Sequence, residues 1–235
     1  MTARSGEAEA DGGSGRPGTG GHRFEVTGGA LCLDLANTVD SRTTDTPKER
    51  LGTFADLAAW GEQARAIDGA EGRRLVAAAR RHPAAAAAVL RRARTLREAL
   101  FAIFSAVAGG GAPGTADLET LNDELKRALG HARLVPEQGR KPARSGAARG
   151  MNAAYRWGWS GEGDDLDRML WPAARSAAEL LTGDRLARVR ECGAGNCAWL
   201  FLDTSRNRSR RWCDMKVCGN REKAHRHYRR IRRSR

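Results

Sequence analysis

Residues 188–221 read R-V-R-E-C-G-A-G-N-C-A-W-L-F-L-D-T-S-R-N-R-S-R-R-W-C-D-M-K-V-C-G-N-R. Within them Cys192 and Cys197, then Cys213 and Cys218, form two Cys-x4-Cys pairs with fifteen residues between the pairs. Two short pairs across a hairpin-sized gap suit a tetrahedral thiolate zinc site, since each pair can turn both sulfurs to one side of a tight knuckle. Gly193, Gly195 and Gly219 are expected to supply the bends. Two disulfides are the competing reading. The sequence shows no apolar export segment, and the fifth cysteine, Cys32, lies far off in an apolar run. A reducing compartment and one structural zinc ion per chain are therefore expected. Four thiolates fill a tetrahedron and leave no position for a catalytic water, so zinc hydrolysis is not expected.

Working outward, Val189, Trp199–Leu202 and Trp212 suggest short strands around the cysteines, and Asp203–Asn207 is good turn chemistry between them. Asn220 is expected to N-cap a helix from Arg221 to about Arg232. A module of this size cannot bury an adequate core, so the metal is expected to supply folding energy. Trp199, Phe201 and Trp212 are read as its small core rather than as base-stacking residues, and His225 and His227 as facing solvent or phosphate.

Charge is concentrated in the same region. Residues 185–235 carry sixteen Lys/Arg against Glu191, Asp203, Asp214 and Glu222, a net +12 of the chain's +13. Such asymmetry points to a polyanion partner. Arg206, Arg208, Arg210 and Arg211 in the turn, with Arg221, Lys223, Arg226, Arg229 and Arg230 on the helix, are the candidate nucleic-acid contacts. They surround the helix rather than lining one stripe, which suits phosphate attraction better than base readout.

The remaining chain reads as mainly α with a minor β-hairpin. Residues 1–22 are Gly/Ser-rich and are expected to be a disordered tail. Residues 23–183 form the helical body and 185–235 the zinc module. Ala30–Val39 fits a strand or a first helix. Thr53 looks like an N-cap ahead of Phe54, Leu57 and Trp60, and a short helix is expected over Glu71–Arg81. Val89, Ala93, Leu96, Leu100, Ile103 and Phe104 mark a long helix over Ala84–Ala108. Another opens at Thr115, a hairpin with a long loop spans residues 131–162, and a last helix follows Asp164 and Asp165 to a C-cap at Gly183. No segment has the run of apolar residues that a membrane span needs.

Cys218-Gly219-Asn220-Arg221, with W-L-F-L-D-T-S-R-N and R-R-W-C-D-M-K before it, resembles the CGNR zinc finger from about Arg188 to Arg233. The region from Phe24 to Thr182, through L-C-L-D-L-A-N-T-V and R-T-L-R-E-A-L, resembles the ABATE domain of bacterial proteins described as stress-induced transcription regulators. The likeness implies a zinc-dependent, DNA-binding, cytoplasmic and nucleoid-associated regulator with a signal-sensing body. Double-stranded DNA is the expected partner; a homodimer and a small-molecule signal are left open. An RNA-binding protein is the nearest alternative, since phosphate attraction does not separate the two nucleic acids. A ligand-binding or enzymatic body with a zinc-stapled interaction module is the other. Asp34 and Asn37, polar residues in an apolar segment, with Trp60, are the candidate ligand anchors. No nucleophile–base set, P-loop or dinucleotide fingerprint accompanies them, and an enzyme is not expected.

Overall fold

The computed structural model describes residues 23–136, 155–161 and 165–233. The expected disordered tail at 1–22, the Gly/Arg-rich stretch at 139–150 and Asp164 lie outside these residues.

Local sequence signals set most of the helix ends. Helix α1 (Leu31–Ala36) leads into the two-residue antiparallel pair β1 (Val39–Asp40) and β2 (Lys48–Glu49). Helix α2 (Phe54–Gln63) starts at Thr53, whose hydroxyl accepts from Asp56 N at 3.2 Å while Asp56 Oδ2 accepts from Thr53 N at 2.8 Å, a reciprocal capping box. Asp68 and Glu71 make the same box for α3 (Gly69–Arg81). Pro83 opens α4 (Pro83–Ala108) at the one position where its missing N–H costs nothing. The apolar stripe from Val89 to Phe104 is buried along its length. Helix α5 (Thr115–His131) packs on α4, and α6 (Leu170–Thr182) packs on α5; α1 sits against α4 and α6. Arg92 ties these elements together, pairing with Glu124 at 2.6 Å and Asp167 at 3.0 Å.

Strands β3 (Ala132–Pro136) and β4 (Tyr155–Trp159) form the expected antiparallel hairpin, in register from Ala132↔Trp159 to Pro136↔Tyr155. It is anchored through Trp159, whose ring lies 6.0 Å from that of Trp171. The last core helix corrects the sequence expectation: Leu166–Met169 form turns and α6 begins only at Leu170. Pro172 explains the delay. Starting at Leu170 places the proline in the first turn, whereas an earlier start would drive its ring into the carbonyl four residues back.

The C-terminal region does not stand apart from the body. Strands β5 (Val189–Glu191) and β6 (Leu200–Leu202) pair antiparallel, with Val189 opposite Leu202. Side chains alternate along β6: Leu200 and Leu202 enter the same core as Leu33, Leu100 and Trp60, while Phe201 enters the cysteine cluster. The outer edge of β6 is paired by the body. Asn37 Nδ2 donates to Leu200 O and Asn37 Oδ1 accepts from Leu200 N, both at 2.8 Å, and Leu202 N donates to Gly28 O at 2.8 Å. A side-chain amide and a loop carbonyl thus stand in for a third strand. The module therefore draws its folding energy from this shared core as well as from any metal.

Candidate metal centre and basic helix

The four paired cysteines converge. Their sulfurs all lie within 4.8 Å of one another, every one of the four residues is buried, and none is in a disulfide. Cys197 and Cys213 place their sulfurs 3.7 Å apart, Cys213 and Cys218 3.6 Å apart. A tetrahedron with Zn–S bonds of about 2.3 Å has an edge of roughly 3.8 Å, so the spacing fits a zinc ion and is far too long for a disulfide. Cys32 is buried in the body core, away from this cluster, and burial pushes its thiol up to about 12.

The backbone that positions the sulfurs differs from expectation at both knuckles. Among the described glycines only Gly29, Gly110 and Gly161 have positive φ, so Gly193, Gly195 and Gly219 do not use the left-handed region, although Gly195 lies in the turn that leads to Cys197. The left-handed residue is Ala198, at φ 59°, where the chain leaves Cys197 and reverses into β6. Trp212 lies outside any strand and packs over the cysteines as part of the surrounding turns. At the second knuckle Asn220 is not an N-cap; its φ of −68° and ψ of −40° are helical. The cap is Asp214, whose Oδ1 accepts from Lys216 N at 2.6 Å and Val217 N at 2.9 Å. One wide turn over Met215–Gly219 then runs unbroken into α7 (Asn220–Arg233). Cys218 therefore sits within the helix rather than ahead of it. Gly219 leaves room for the Met215 side chain, whose sulfur lies 2.5 Å from where a Cβ on Gly219 would stand.

The electrostatics of the cluster call for a cation. Hydrogen bonds from Cys197 and Cys213 lower the Cys192 thiol to about 2. Cys197 is pushed up to about 12, first because it serves Cys192. Its bonds to Cys192 and Cys197 push Cys213 far above its usual range, and burial raises Cys218. One negative charge among the sulfurs thus disfavours the next. Four thiolates become compatible only around a dication, and the donor set is that of a structural zinc site. Arg221 Nη2 donates to Cys218 Sγ at 3.1 Å and shares the sulfur charge.

That contact shows how the candidate nucleic-acid residues divide. Arg206, Arg208, Arg211, Lys223, Arg229 and Arg230 are exposed. Arg210 turns inward: its Nε donates to Trp212 O at 2.9 Å, its Nη2 donates to Cys213 O, and its guanidinium lies 4.6 Å over the Phe201 ring. Arg221 is half-buried on Cys218. The side chain of Arg226 falls outside the described part. All four acidic residues of the module are engaged within the protein. Asp203 accepts from Ser205 and from Arg210 N; Asp214 caps the helix; Glu191 accepts from Ser105 and Glu222 from Gly195 N. His225 and His227 are exposed.

The candidate ligand anchors are occupied by the fold. Asp34 Oδ1 accepts from Gly28 N at 2.7 Å, and burial raises its carboxyl to about 6. Asn37 holds Leu200, and Trp60 is buried in the core. The void bordering Asp34 and Asn37 is about 10 Å³, room for no more than a water. Sequence reading missed Asp214 as a cap, Arg210 as a brace and Trp199 as a link whose Nε1 donates to Val39 O at 2.9 Å. Only the first had a signal, an Asp just ahead of a helical run.

Among the described residues no helix is long and apolar enough to cross a membrane. Among curated proteins no match to the chain is found. The profile of the CGNR zinc finger matches residues 188–231, over the cysteine cluster and most of α7. Residues 29–184 match the profile described as "Putative stress-induced transcription regulator", the ABATE domain. With that match covering most of the chain, the protein belongs to the ABATE family and carries a C-terminal zinc finger of the CGNR type.

Proposed function

We propose that this protein is a transcription regulator that docks on double-stranded DNA through the turn at 206–211 and helix α7, with a structural zinc ion fixing both. The observation that carries this reading is the one-sided charge: the module's four carboxylates are consumed internally, while Arg206, Arg208, Arg211, Lys223 and Arg229 face solvent. None of these five cations is ion-paired among the described residues, and the net +12 of residues 185–235 sets a positive field around them. Modest sequence preference follows from charges spread around one helix, and a homodimer reading two half-sites supplies the rest. The body serves as the receiver of a stress signal carried by a small molecule, in a cytoplasmic protein held near the nucleoid. No catalysis is assigned, because all four positions around the metal are taken by sulfur.

The test uses the full-length zinc-loaded chain and a fluorescent duplex. If about five phosphates are neutralised, affinity falls roughly 500-fold between 50 and 200 mM salt. Replacing Arg208 and Arg229 with Ala lowers the slope by about two with zinc content unchanged. Failure to bind duplex DNA even at low salt, with binding to single-stranded RNA instead, overturns this reading in favour of an RNA partner.

A further inference from the structure

A large open groove of about 1010 Å³ runs between the α2–α3 connection, the β3–β4 hairpin and the approach to α6. Its apolar lining includes Ile67, Val135, Trp157, Trp159 and Pro172. Its cationic lining comes from Arg65, Arg133 and Arg156, together with Arg168. Arg168 is spoken for, since its Nε donates to Glu71 at 2.7 Å. The other three arginines are exposed and make no ion pair among the described residues; the one bond seen is a long 3.5 Å contact from Arg156 to the neighbouring Trp157 carbonyl.

The carboxylates beside them are otherwise employed. Asp68 accepts from Ala70 N and Glu71 N, and Glu71 accepts from both Asp68 N and Arg168. The Glu62 carboxyl is turned onto Gly72, where it fills the space a Cβ would take. Arg133 and Arg156 lie on the same face of the hairpin, because Arg133 pairs with Gly158 and Val135 with Arg156.

The backbone at Arg65 adds an independent mark. Arg65 follows Ala64, the C-cap of α2, and has φ 59°, with Ala66 N returning to Gly61 O at 2.8 Å. This is the left-handed position that glycine favours at helix ends, and a long cationic side chain stands there instead. Its charge is unpaired in the groove, and that pairing of strain and free charge marks Arg65 as a candidate binding residue.

We infer that this groove is a binding site for a small organic anion carrying two negative charges on an apolar body, held by Arg65, Arg133 and Arg156. The site is distinct from Asp34 and Asn37 and does not depend on the DNA reading.

The experiment is titration calorimetry on the full-length zinc-loaded protein with two probes, phenyl phosphate and isophthalate, and benzyl alcohol as the neutral control. Saturable binding of either probe, with none of the alcohol, is expected; which of the two binds separates a phosphate from a dicarboxylate ligand. Arg65→Gly relieves the backbone and leaves the fold at least as stable, yet weakens binding about tenfold, as losing one charge-assisted hydrogen bond should. The double replacement of Arg133 and Arg156 with Ala abolishes it. Unchanged affinity in these variants, or no saturable heat with either probe, overturns the proposal. If the double variant instead loses duplex-DNA affinity while neither probe binds, the groove belongs to the nucleic-acid surface and the small-anion site falls.

Discussion

Replacing Asn37 with Ala tests whether the body and the zinc module are one folding unit. The carboxamide serves both Leu200 N and Leu200 O at 2.8 Å, and Asn37 and Leu200 are buried at 4% and 0% exposure. Truncation leaves a buried donor and a buried acceptor without partners, each at a cost of about 1–3 kcal/mol, for a total of about 2–6 kcal/mol. Set against a typical stability of about 5–15 kcal/mol, this is a large fraction. Urea unfolding followed by circular dichroism reads the loss directly. A chelating dye added to folded protein should also take zinc faster from the variant, because β6 loses its outer-edge partner. Asn37→Asp should recover little at neutral pH, since a carboxylate cannot donate to Leu200 O. A stability within about 0.5 kcal/mol of the parent, the range of ordinary surface substitutions, would refute the reasoning and return Asn37 to the list of candidate ligand residues.

Cys213→Ser should abolish the one-zinc stoichiometry by metal analysis and loosen α7 and the turns around the cysteines, with β5 and β6 still held by the body core, whereas Cys32→Ser should retain the metal. Asp34→Asn should stabilise the protein near pH 7.5, because it removes a buried charge and keeps an acceptor for Gly28 N. The sign follows from a native carboxyl raised to about 6 above an unfolded value of 3.8: the native state holds its proton more tightly. The variant's advantage is therefore greatest above pH 6 and shrinks to nothing below about 3.8, which thermal melts across that window would reveal. Ala198→Gly, by relieving the left-handed alanine at φ 59°, should raise stability by up to about 1 kcal/mol and leave zinc affinity intact; a loss of stability would show the strain to be absent.

Where sequence reading succeeded, the determinants were local. The capping residue Thr53, the stripe from Val89 to Phe104 and the cysteine spacing each carry their instruction within a few residues, and the structure obeys them. Where it failed, the determinant was distant in the chain or a matter of backbone angle. Asn37 looked like a polar intruder in an apolar segment because its partner lies 163 residues away. Asn220 resembled a cap, but Asp214 starts the helix earlier and the wide turn between them has no sequence signature. Gly195 does lie in the first knuckle's turn, yet the left-handed angle falls on Ala198, where tertiary pairing of β6 overrides the alanine's own preference. Arg210 and Arg221 were counted as outward charges, though each had a nearby acceptor of its own, a carbonyl and a sulfur.

The placement of Cys218 inside the helical run gives α7 the character of a keyed shaft. A helix joined to its support by a loop is free to spin about its axis; one that contributes a metal ligand from its own first turns is not. With Cys218 and Arg221 turned to the sulfurs, Lys216, Lys223 and His227 come round to the opposite side, close to half a turn away. A module stripped of its ion would keep every one of its charges and lose their compass bearing. Attraction to a polyanion would survive that loss, and alignment along it would not.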